Sequence, residues 1–323
     1  MKKVAVIESI SRGVNHHRLI NPLLHSDCEI TTYNTIPLDK VNEVECDVLL
    51  FSRYMYEKEQ AKIITAFKKK GVKVIVDQDD HWELPQRHIA RVQHVKNNIA
   101  RKILEAMRWA DEVWTTHAML AGEIKNYNRN VKVYPNALNP IDEQWIPNPI
   151  TSSKHRIGFV GGNTHEDDLY ETRNAWVAAH SQHNNMEAVL GGANSDSVYG
   201  RYQIIMSGGG KGMCRVLAAK DVNNYGVLYD HMDVVIAPLV GSTFNRMRSN
   251  LKIIEAGMKA TPIICSWMHP YNIDTRGVFV TGNWRKAFNK ALRMSKEKLA
   301  DDGLALREYV ISNFDIRNHK RRL

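Results

Sequence analysis

The feature that most constrains the fold is a repeated alternation of short apolar runs with segments of helical periodicity. The run VKVIVD at residues 72–77 is almost continuously apolar, which is typical of a strand buried on both faces of a parallel sheet. Further apolar runs lie at residues 4–7, 29–33, 47–51, 112–116 and 131–136. Strands separated by helical segments in this way predict a doubly wound parallel sheet.

The alternation restarts after a stretch without periodicity. Residues 139–149 contain three prolines and are interpreted as part of a linker. Beyond it, apolar runs recur at residues 156–162, 186–192, 233–239 and 261–266. A length of 323 residues suits two such domains. We therefore predict two facing Rossmann-like α/β domains, with these boundaries: residues 1–138, a linker at 139–153, a second domain at 154–300 and a helical tail at 301–323.

Charge and composition narrow the possible partners. The formal net charge of +9 favours a polyanionic partner such as nucleic acid, an anionic membrane or a phosphorylated substrate. The four cysteines lack the spacing of metal ligands, which predicts reduced thiols in a cytoplasmic protein. No apolar run approaches the roughly 20 residues of a membrane span, so no transmembrane segment is expected.

Two glycine-rich turns follow predicted elements of the second domain. The segment GGNTHEDDL begins at Gly161 and Gly162 directly after a strand, and SGGGKG occupies residues 207–212. Neither matches the dinucleotide or P-loop fingerprint. A flexible surface loop is the favoured interpretation of both, with a phosphate-binding turn as the alternative.

The segment FNRMRSNLKIIEAG at residues 244–257 combines cations with a predicted helix start near residue 248. Helix N-termini favour anions, and Ser249 is a plausible N-cap. Three cations could neutralise a diphosphate, and Glu255 could accept hydrogen bonds from ribose hydroxyls. A solvated basic face with Glu255 in a surface ion pair is the equal alternative. The three cations are Arg246, Arg248 and Lys252.

The longer segment FNRMRSNLKIIEAGMKATPIICS resembles the donor-binding region of GT-B glycosyltransferases similar to glycosyltransferase family 4. The residues that carry the resemblance are Ser249, Lys252, Glu255, Ala256, Pro262 and Ile263. RIGFVGGNTHEDDL at residues 156–169 resembles the strand and turn that open the second domain of that group. GVNHHRLINPLL at residues 13–24 and VYPNALN at residues 133–139 resemble segments of the first domain.

The resemblance implies a GT-B fold and a retaining transfer from a nucleotide-diphosphate sugar bound by the second domain. Glu255 would bind the ribose, and Ser249 with Lys252 the diphosphate. Further donor contacts would come from Gly161, Gly162, His165, Arg246, Arg248 and Asn250. Catalysis would depend on positioning and on stabilising the leaving diphosphate, with no obligatory cofactor or metal; a divalent metal is possible but not expected.

The chain departs from the family pattern at two places. Met247 occupies a position where family members often carry a glutamate, eight residues before the ribose glutamate. After the glycine turn the chain has residues 165–168, HEDD, where many members have an arginine and a lysine. These departures leave the identity of the sugar open.

The first domain offers acceptor-side candidates. Asp79, Asp80 and His81 follow the strand at residues 72–77 and could act as a base or hydrogen-bond acceptors for sugar hydroxyls. A metal-binding pair and a helix-capping turn are the alternatives. His16 is a second catalytic candidate in the loop after the first strand. His17 and Arg18, from the same loop, are candidate acceptor or nucleic-acid contacts.

The three- and four-residue spacing of apolar side chains over residues 88–110 predicts one amphipathic helix with its apolar face toward the core. Its basic face, which includes Arg91 and Arg101 and continues from Arg87, is either solvated or contacts a phosphate backbone. An anionic membrane ranks below nucleic acid because the apolar face is expected to be core and the helix has no exposed Trp or Phe for lipid.

The leading hypothesis is a glycosyltransferase whose favoured acceptor is a hydroxymethylpyrimidine in DNA. The alternative within this class is a cell-envelope glycan or lipid-linked acceptor. The alternative of another class is a non-catalytic nucleic-acid-binding protein with a glycosyltransferase fold. The oligomeric state is left open.

Overall fold

The computed structural model describes residues 1–8 and 12–323, with Arg12 described by its backbone alone. Their contacts divide the chain into two units. Unit 1 comprises Met1–Ala137, Met247–Ser249 and Ile316–Leu323, and unit 2 comprises Leu138–Arg246 and Asn250–Asp315.

The sheet of unit 1 is wholly parallel and has the order β2-β1-β3-β4-β5-β6. Its strands are β1 (Lys2–Ile7), β2 (Cys28–Tyr33), β3 (Val48–Ser52), β4 (Lys73–Gln78), β5 (Glu112–Thr115) and β6 (Val131–Val133). The α-helices of this unit are α1 (Arg12–Asn15), α2 (Asn21–Leu24), α3 (Gln60–Lys69), α4 (Arg91–Lys96), α5 (Ile99–Trp109) and α6 (Ala118–Ile124). A π-helical turn spans His16–Ile20, and 3-10 helices span Leu38–Glu43 and Ile316–Asn318.

The central strands of unit 1 are buried on both faces. Leu49 and Phe51 of β3 pack in one core cluster, whereas Val48 and Leu50 pack in another on the opposite face. This follows from the two-residue repeat of a strand covered by helices on both sides. The doubly wound architecture predicted from the apolar runs is confirmed.

The prediction of one helix over residues 88–110 is wrong for the first half of that segment. The chain forms two helices, α4 and α5, and Asn98 between them has a left-handed backbone with φ of 51°. Ile103 and Met107 of α5 are buried as expected. The apolar side chains of the first half instead face solvent: Ile89, Val92 and Val95.

Unit 2 repeats the architecture with the sheet order β12-β11-β10-β7-β8-β9, again parallel throughout. Its strands are β7 (His155–Val160), β8 (Met186–Ala193), β9 (Cys214–Ala218), β10 (Val234–Ala237), β11 (Ile263–Ser266) and β12 (Val278–Thr281). The α-helices are α7 (Glu166–Tyr170), α8 (Arg173–Gln182), α9 (Val198–Met206), α10 (Thr243–Arg246), α11 (Leu251–Met258), α12 (Trp284–Arg293) and α13 (Lys296–Phe314). Short 3-10 helices span Glu143–Trp145 and Tyr225–His231.

Helix α11, which carries Glu255, packs closely on α13. A Cβ atom at Gly257 would lie 2.4 Å from Cγ2 of Val310, so only glycine permits this approach. The contact holds α11, the helix that carries Glu255, close against α13. No helix in the described part of the chain is long and apolar enough to cross a membrane.

Candidate functional site

The Glu255 cluster of unit 2 is formed by Glu255 and Lys252 of α11 with two tyrosines of the 3-10 helix Tyr225–His231. Glu255 is 2% exposed, and its Oε2 accepts hydrogen bonds from the Tyr229 hydroxyl at 2.6 Å and from Lys252 Nζ at 2.8 Å. Lys252 Nζ also donates to the Tyr225 hydroxyl at 2.9 Å. Residues three apart on a helix share a face, which explains how Lys252 reaches Glu255.

The electrostatics of the Glu255 cluster favour one buried ion pair. Burial opposes the charged form of Lys252, but the Glu255 carboxylate holds the pKa of the ammonium above its ordinary value. Burial is the main cause that raises the pKa of Tyr225 to about 12, and it also raises the pKa of Tyr229. Near pH 7 the cluster therefore presents a charged ammonium on Lys252 and neutral hydroxyls on Tyr225 and Tyr229.

The sequence left open whether Glu255 binds a ligand or forms a surface ion pair. The pair exists with Lys252, but it is buried rather than on the surface. Each oxygen of a carboxylate can accept two hydrogen bonds, and both contacts described above involve Oε2. A buried, oriented carboxylate of this kind can still accept hydrogen bonds from ligand hydroxyls.

The start of α11 differs from the prediction. The helix begins at Leu251, with Asn250 in the N-cap position, so the predicted start near residue 248 is wrong. Ser249 is therefore not the cap. Its Oγ instead accepts a hydrogen bond from Nδ2 of Asn136 at 2.7 Å.

The segment Met247–Ser249 belongs to unit 1. The side chain of Met247 is buried in the core cluster that also contains Phe51, and its carbonyl oxygen lies 2.9 Å from His117 Nε2. The Arg248 guanidinium acts electrostatically on Asp80. Arg246, directly before Met247, is exposed on α10 of unit 2. A core-buried methionine thus occupies the position where the resembled family often has a glutamate.

An acidic pair lies at the carboxyl end of the sheet in unit 1. Arg53 follows β3 with a left-handed backbone, φ 61°, and its Nε and Nη2 donate to the two carboxylate oxygens of Asp79 at 2.7 and 2.9 Å. Nη2 also donates to Asp80 Oδ2 at 2.8 Å. The carboxyl ends of parallel strands are where ligands of doubly wound sheets bind.

The two carboxyl groups differ in acidity. Burial opposes ionisation of both, but the Arg53 guanidinium holds the pKa of Asp79 below its ordinary value. Burial, followed by the neighbouring Asp79 carboxylate, raises the pKa of Asp80. Paired titratable groups with separated pKa values are suited to different roles. Asp79 is therefore the fixed counter-ion of Arg53, and Asp80 is the better candidate for proton transfer or for binding an acceptor hydroxyl.

Arg18 is not available to an acceptor or a nucleic acid, so that prediction is wrong. It lies on the π-helical turn, is 2% exposed, and its Nε and Nη2 donate to the Asp77 carboxylate at 3.0 and 2.7 Å. Its Nη1 donates to the Tyr134 carbonyl and to Asn136 Oδ1. Because Asn136 in turn donates to Ser249, the buried Arg18 supports the position of Ser249.

The histidine candidates of unit 1 make ring contacts. The His81 ring stacks on Trp82 at 4.4 Å, and its Nδ1 accepts from the Glu83 amide. The rings of His16 and His17 pack edge to face at 5.2 Å.

Of the cationic candidates, Arg87 and Arg101 are exposed, whereas Arg91 is half-buried and donates to the Leu84 carbonyl. The predicted basic stripe is therefore not a single helix face.

The glycine turn after β7 is ordered by tyrosines. The hydroxyls of Tyr199 and Tyr202 donate to the carbonyl oxygens of Gly161 and Gly162 at 3.4 and 3.3 Å. The His165 amide donates to the Tyr202 hydroxyl at 2.7 Å. The turn at the carboxyl edge of the second sheet is thus held by hydrogen bonds from defined side chains, in contrast to the flexible surface loop that the sequence favoured.

His165 and Asp168 connect this turn to the loop after β10. His165 Nδ1 lies 3.0 Å from Asp168 Oδ2, and Asp168 Oδ1 accepts from the Val240 amide and from Asn245 Nδ2. Two residues of the segment that departs from the family pattern, His165 and Asp168, therefore link the glycine turn to the loop after β10 within unit 2.

Several residues of both sites were not identified from the sequence. Tyr225 and Tyr229 lie in a 3-10 helix without a periodic signal, and the sequence of VYPNALN does not indicate a role for Asn136. Arg53 had one usable signal, a charged residue directly after a fully buried strand. Among the described residues, no group of three or more His, Cys, Asp or Glu side chains is arranged to hold a metal ion.

The chain resembles solved structures over most of its length. The OtsA apo structure aligns with 99% of this chain and 97% of its own, with a TM-score of 0.63 and 13% identity. A structure described as trehalose-6-phosphate from E. coli bound with UDP-2-fluoro glucose covers 98% and 97%, with a TM-score of 0.64 and 12% identity. No family model and no curated protein matches the sequence.

A mutant of S. aureus TarM, in complex with fondaparinux, alpha-GlcNAc-glycerol and UDP, covers 84% of this chain with a TM-score of 0.54 and 13% identity. This chain spans only 53% of that TarM chain. These neighbours are GT-B glycosyltransferases, and the two parallel six-stranded sheets of this chain have the GT-B fold. The predicted fold is confirmed, whereas membership of glycosyltransferase family 4 stays a prediction.

Proposed function

We propose that the protein is a glycosyltransferase that uses a uridine diphosphate sugar and retains the anomeric configuration. The observation that carries the proposal is the near full-length agreement with the fold of a protein described as bound with UDP-2-fluoro glucose. The buried Glu255 cluster on α11 supports it, because α11 is the helix whose sequence resembles a donor-binding segment.

Unit 2 would bind the donor. Glu255, held by Tyr229 and Lys252, accepts hydrogen bonds from the ribose hydroxyls. A preset carboxylate binds them without the cost of ordering a mobile side chain. Lys252 and Arg246 contribute positive charge for the diphosphate, which must be stabilised as it leaves.

Unit 1 would bind the acceptor. Asp80 has the raised pKa of the acidic pair and lies at the carboxyl end of the sheet beside Arg53. It accepts a hydrogen bond from the acceptor hydroxyl, while Asp79 keeps Arg53 in place. Arg248 and Ser249, which the sequence predicts to contact the donor, belong to unit 1.

A carbohydrate hydroxyl is the acceptor with the better support. The TarM neighbour is described in complex with alpha-GlcNAc-glycerol, a small glycoside. A hydroxymethylpyrimidine in DNA is the second candidate, and the net charge of +9 is the observation in its favour. The divided helices α4 and α5 remove the continuous basic stripe on which the DNA candidate also depended.

The test is a donor and acceptor screen read by mass spectrometry. Purified protein is incubated with UDP sugars and other nucleotide sugars, and with free glycans, lipid-linked glycans or hydroxymethylated duplex DNA. A mass increase of one glycosyl residue on an acceptor supports the proposal and identifies the acceptor class. Nucleic-acid binding without donor hydrolysis or transfer would support the non-catalytic alternative and contradict the proposal.

A further inference from the structure

Helix α4 of unit 1 directs its apolar side chains toward solvent and an arginine toward the protein. Val92 and Val95 are 75% and 59% exposed, and Ile89, in the turn directly before the helix, is 53% exposed. The half-buried Arg91 faces the protein and donates to the Leu84 carbonyl. An ordinary surface helix buries its apolar stripe, so core formation does not explain these three side chains.

Exposed cations precede and follow these apolar side chains in the sequence. Arg87, Lys96 and Arg101 are exposed, and among the described residues none of the three forms an ion pair. The sequence from residue 84 to residue 104 contains no aspartate or glutamate. The α4 face is defined as Arg87 and Lys96 together with Ile89, Val92 and Val95.

We propose that the α4 face docks on a membrane surface that contains anionic phospholipid. A short helix lying in the plane of the interface buries branched aliphatic side chains among the acyl chains, while lysine and arginine reach the phosphates. The helix places Lys96 one turn from Val92, on the same side, which matches this arrangement. Such docking is attachment to a surface and requires no membrane-spanning helix.

The other occupants fit the α4 face less well. A nucleic acid would use the cations on its phosphates but would leave three aliphatic side chains without a partner. A second copy of the chain would bring the same cations together, and like charges facing each other oppose association. The proposal goes beyond the glycosyltransferase function and does not depend on it, because docking is measured without donor or acceptor.

The experiment is cosedimentation with vesicles of phosphatidylcholine alone or of phosphatidylcholine with phosphatidylglycerol, using the full chain. We expect binding to the anionic vesicles that weakens with salt. The V92S/V95S variant should reduce the partition coefficient on the order of tenfold, because two aliphatic groups no longer enter the interface. The control variant V133S/V216S changes two valines of similar chemistry, 45% and 43% exposed on edge strands, and should bind like the wild type.

A charge variant separates the two contributions. Lys96→Gln should weaken binding to anionic vesicles roughly fivefold. Because the replaced side chains are exposed, each variant should have the melting temperature of the wild type. An unchanged melting temperature shows that weaker binding is not caused by unfolding. The proposal is overturned if the wild type does not bind anionic vesicles. It is also overturned if V92S/V95S binds them as well as the control, or if the chain binds duplex DNA and not vesicles.

Discussion

Breaking the buried ion pair of the Glu255 cluster should destabilise the protein more than removing both of its charges. Lys252→Met leaves the Glu255 carboxylate, 2% exposed, with the Tyr229 hydroxyl but without its cation. Removing one partner of a buried pair typically costs about 3–5 kcal/mol, whereas replacing both partners can be nearly neutral. The double variant Lys252→Met with Glu255→Gln should therefore be more stable than Lys252→Met alone.

The measurement is a double-mutant cycle in urea, followed by tyrosine and tryptophan fluorescence. We expect a coupling energy between Lys252 and Glu255 of about 1–3 kcal/mol. Lys220→Met changes an exposed lysine of unit 2 and should shift the free energy of unfolding by about 0.5 kcal/mol or less. Additive effects of the two substitutions would refute the buried ion pair.

The same variants separate stability from function. If Glu255 accepts ribose hydroxyls, Glu255→Gln should weaken nucleotide affinity by roughly tenfold or more, since a hydrogen bond to a charged group contributes about 1.5–3 kcal/mol. The double variant should recover stability relative to Lys252→Met but not recover this affinity. Calorimetry of nucleotide binding to the folded variants distinguishes the two effects.

Three further predictions concern unit 1. Arg18→Met should lower the free energy of unfolding by about 3–5 kcal/mol by leaving Asp77 buried and unpaired, and adding Asp77→Asn should restore part of it in a urea titration. Burial opposes ionisation of Glu112, but hydrogen bonds from three donors hold its pKa below the ordinary value. The contribution of this carboxylate to the stability of the fold is therefore present above pH 4.5 and is lost as the pH falls through the lowered pKa. Glu112→Gln should therefore flatten the acid limb of a stability profile, and an unchanged limb contradicts the assignment. Met247→Glu should lower the melting temperature and raise no activity, because it places a carboxylate in an apolar core; a gain of turnover would contradict this.

The sheets were predictable because their strands carry strong local signals. A run such as residues 72–77 is apolar on both faces, and this pattern arises only where helices cover both sides. The two edge strands of the sheet in unit 2, β9 and β12, were not predicted. Their burial patterns are mixed, with exposed positions between partly buried ones, so they lack the continuous apolar signal.

The helix over residues 88–110 shows where periodicity misleads. Spacings of three and four residues predict that Val92 and Met107 share a face, but the left-handed residue Asn98 breaks the helix between them. Nothing in the periodicity specifies which face turns inward after the break. In the folded chain Arg91 donates a hydrogen bond to the Leu84 carbonyl, and its neighbour Val92 faces solvent.

The candidate sites were predictable only in their local parts. Lys252 and Glu255 are three residues apart on one helix, so their shared face could be derived from the sequence. Tyr229 meets Glu255 across 26 residues, and Arg18 meets Asp77 across 59, and such pairs depend on the topology of the sheets. Ser249 was assigned as a cap because its local pattern allows it, whereas its hydrogen bond comes from Asn136.

The most direct test of the central claim is calorimetric titration of the protein with UDP, followed by transfer of the sugar from a UDP sugar to an acceptor. The proposed function predicts saturable binding of UDP that Glu255→Gln weakens by roughly tenfold or more and that Lys220→Met leaves unchanged. It also predicts an acceptor whose mass rises by one glycosyl residue. Absence of UDP binding by the folded wild type, with no transfer from any nucleotide sugar, would contradict the account and leave only the shared fold.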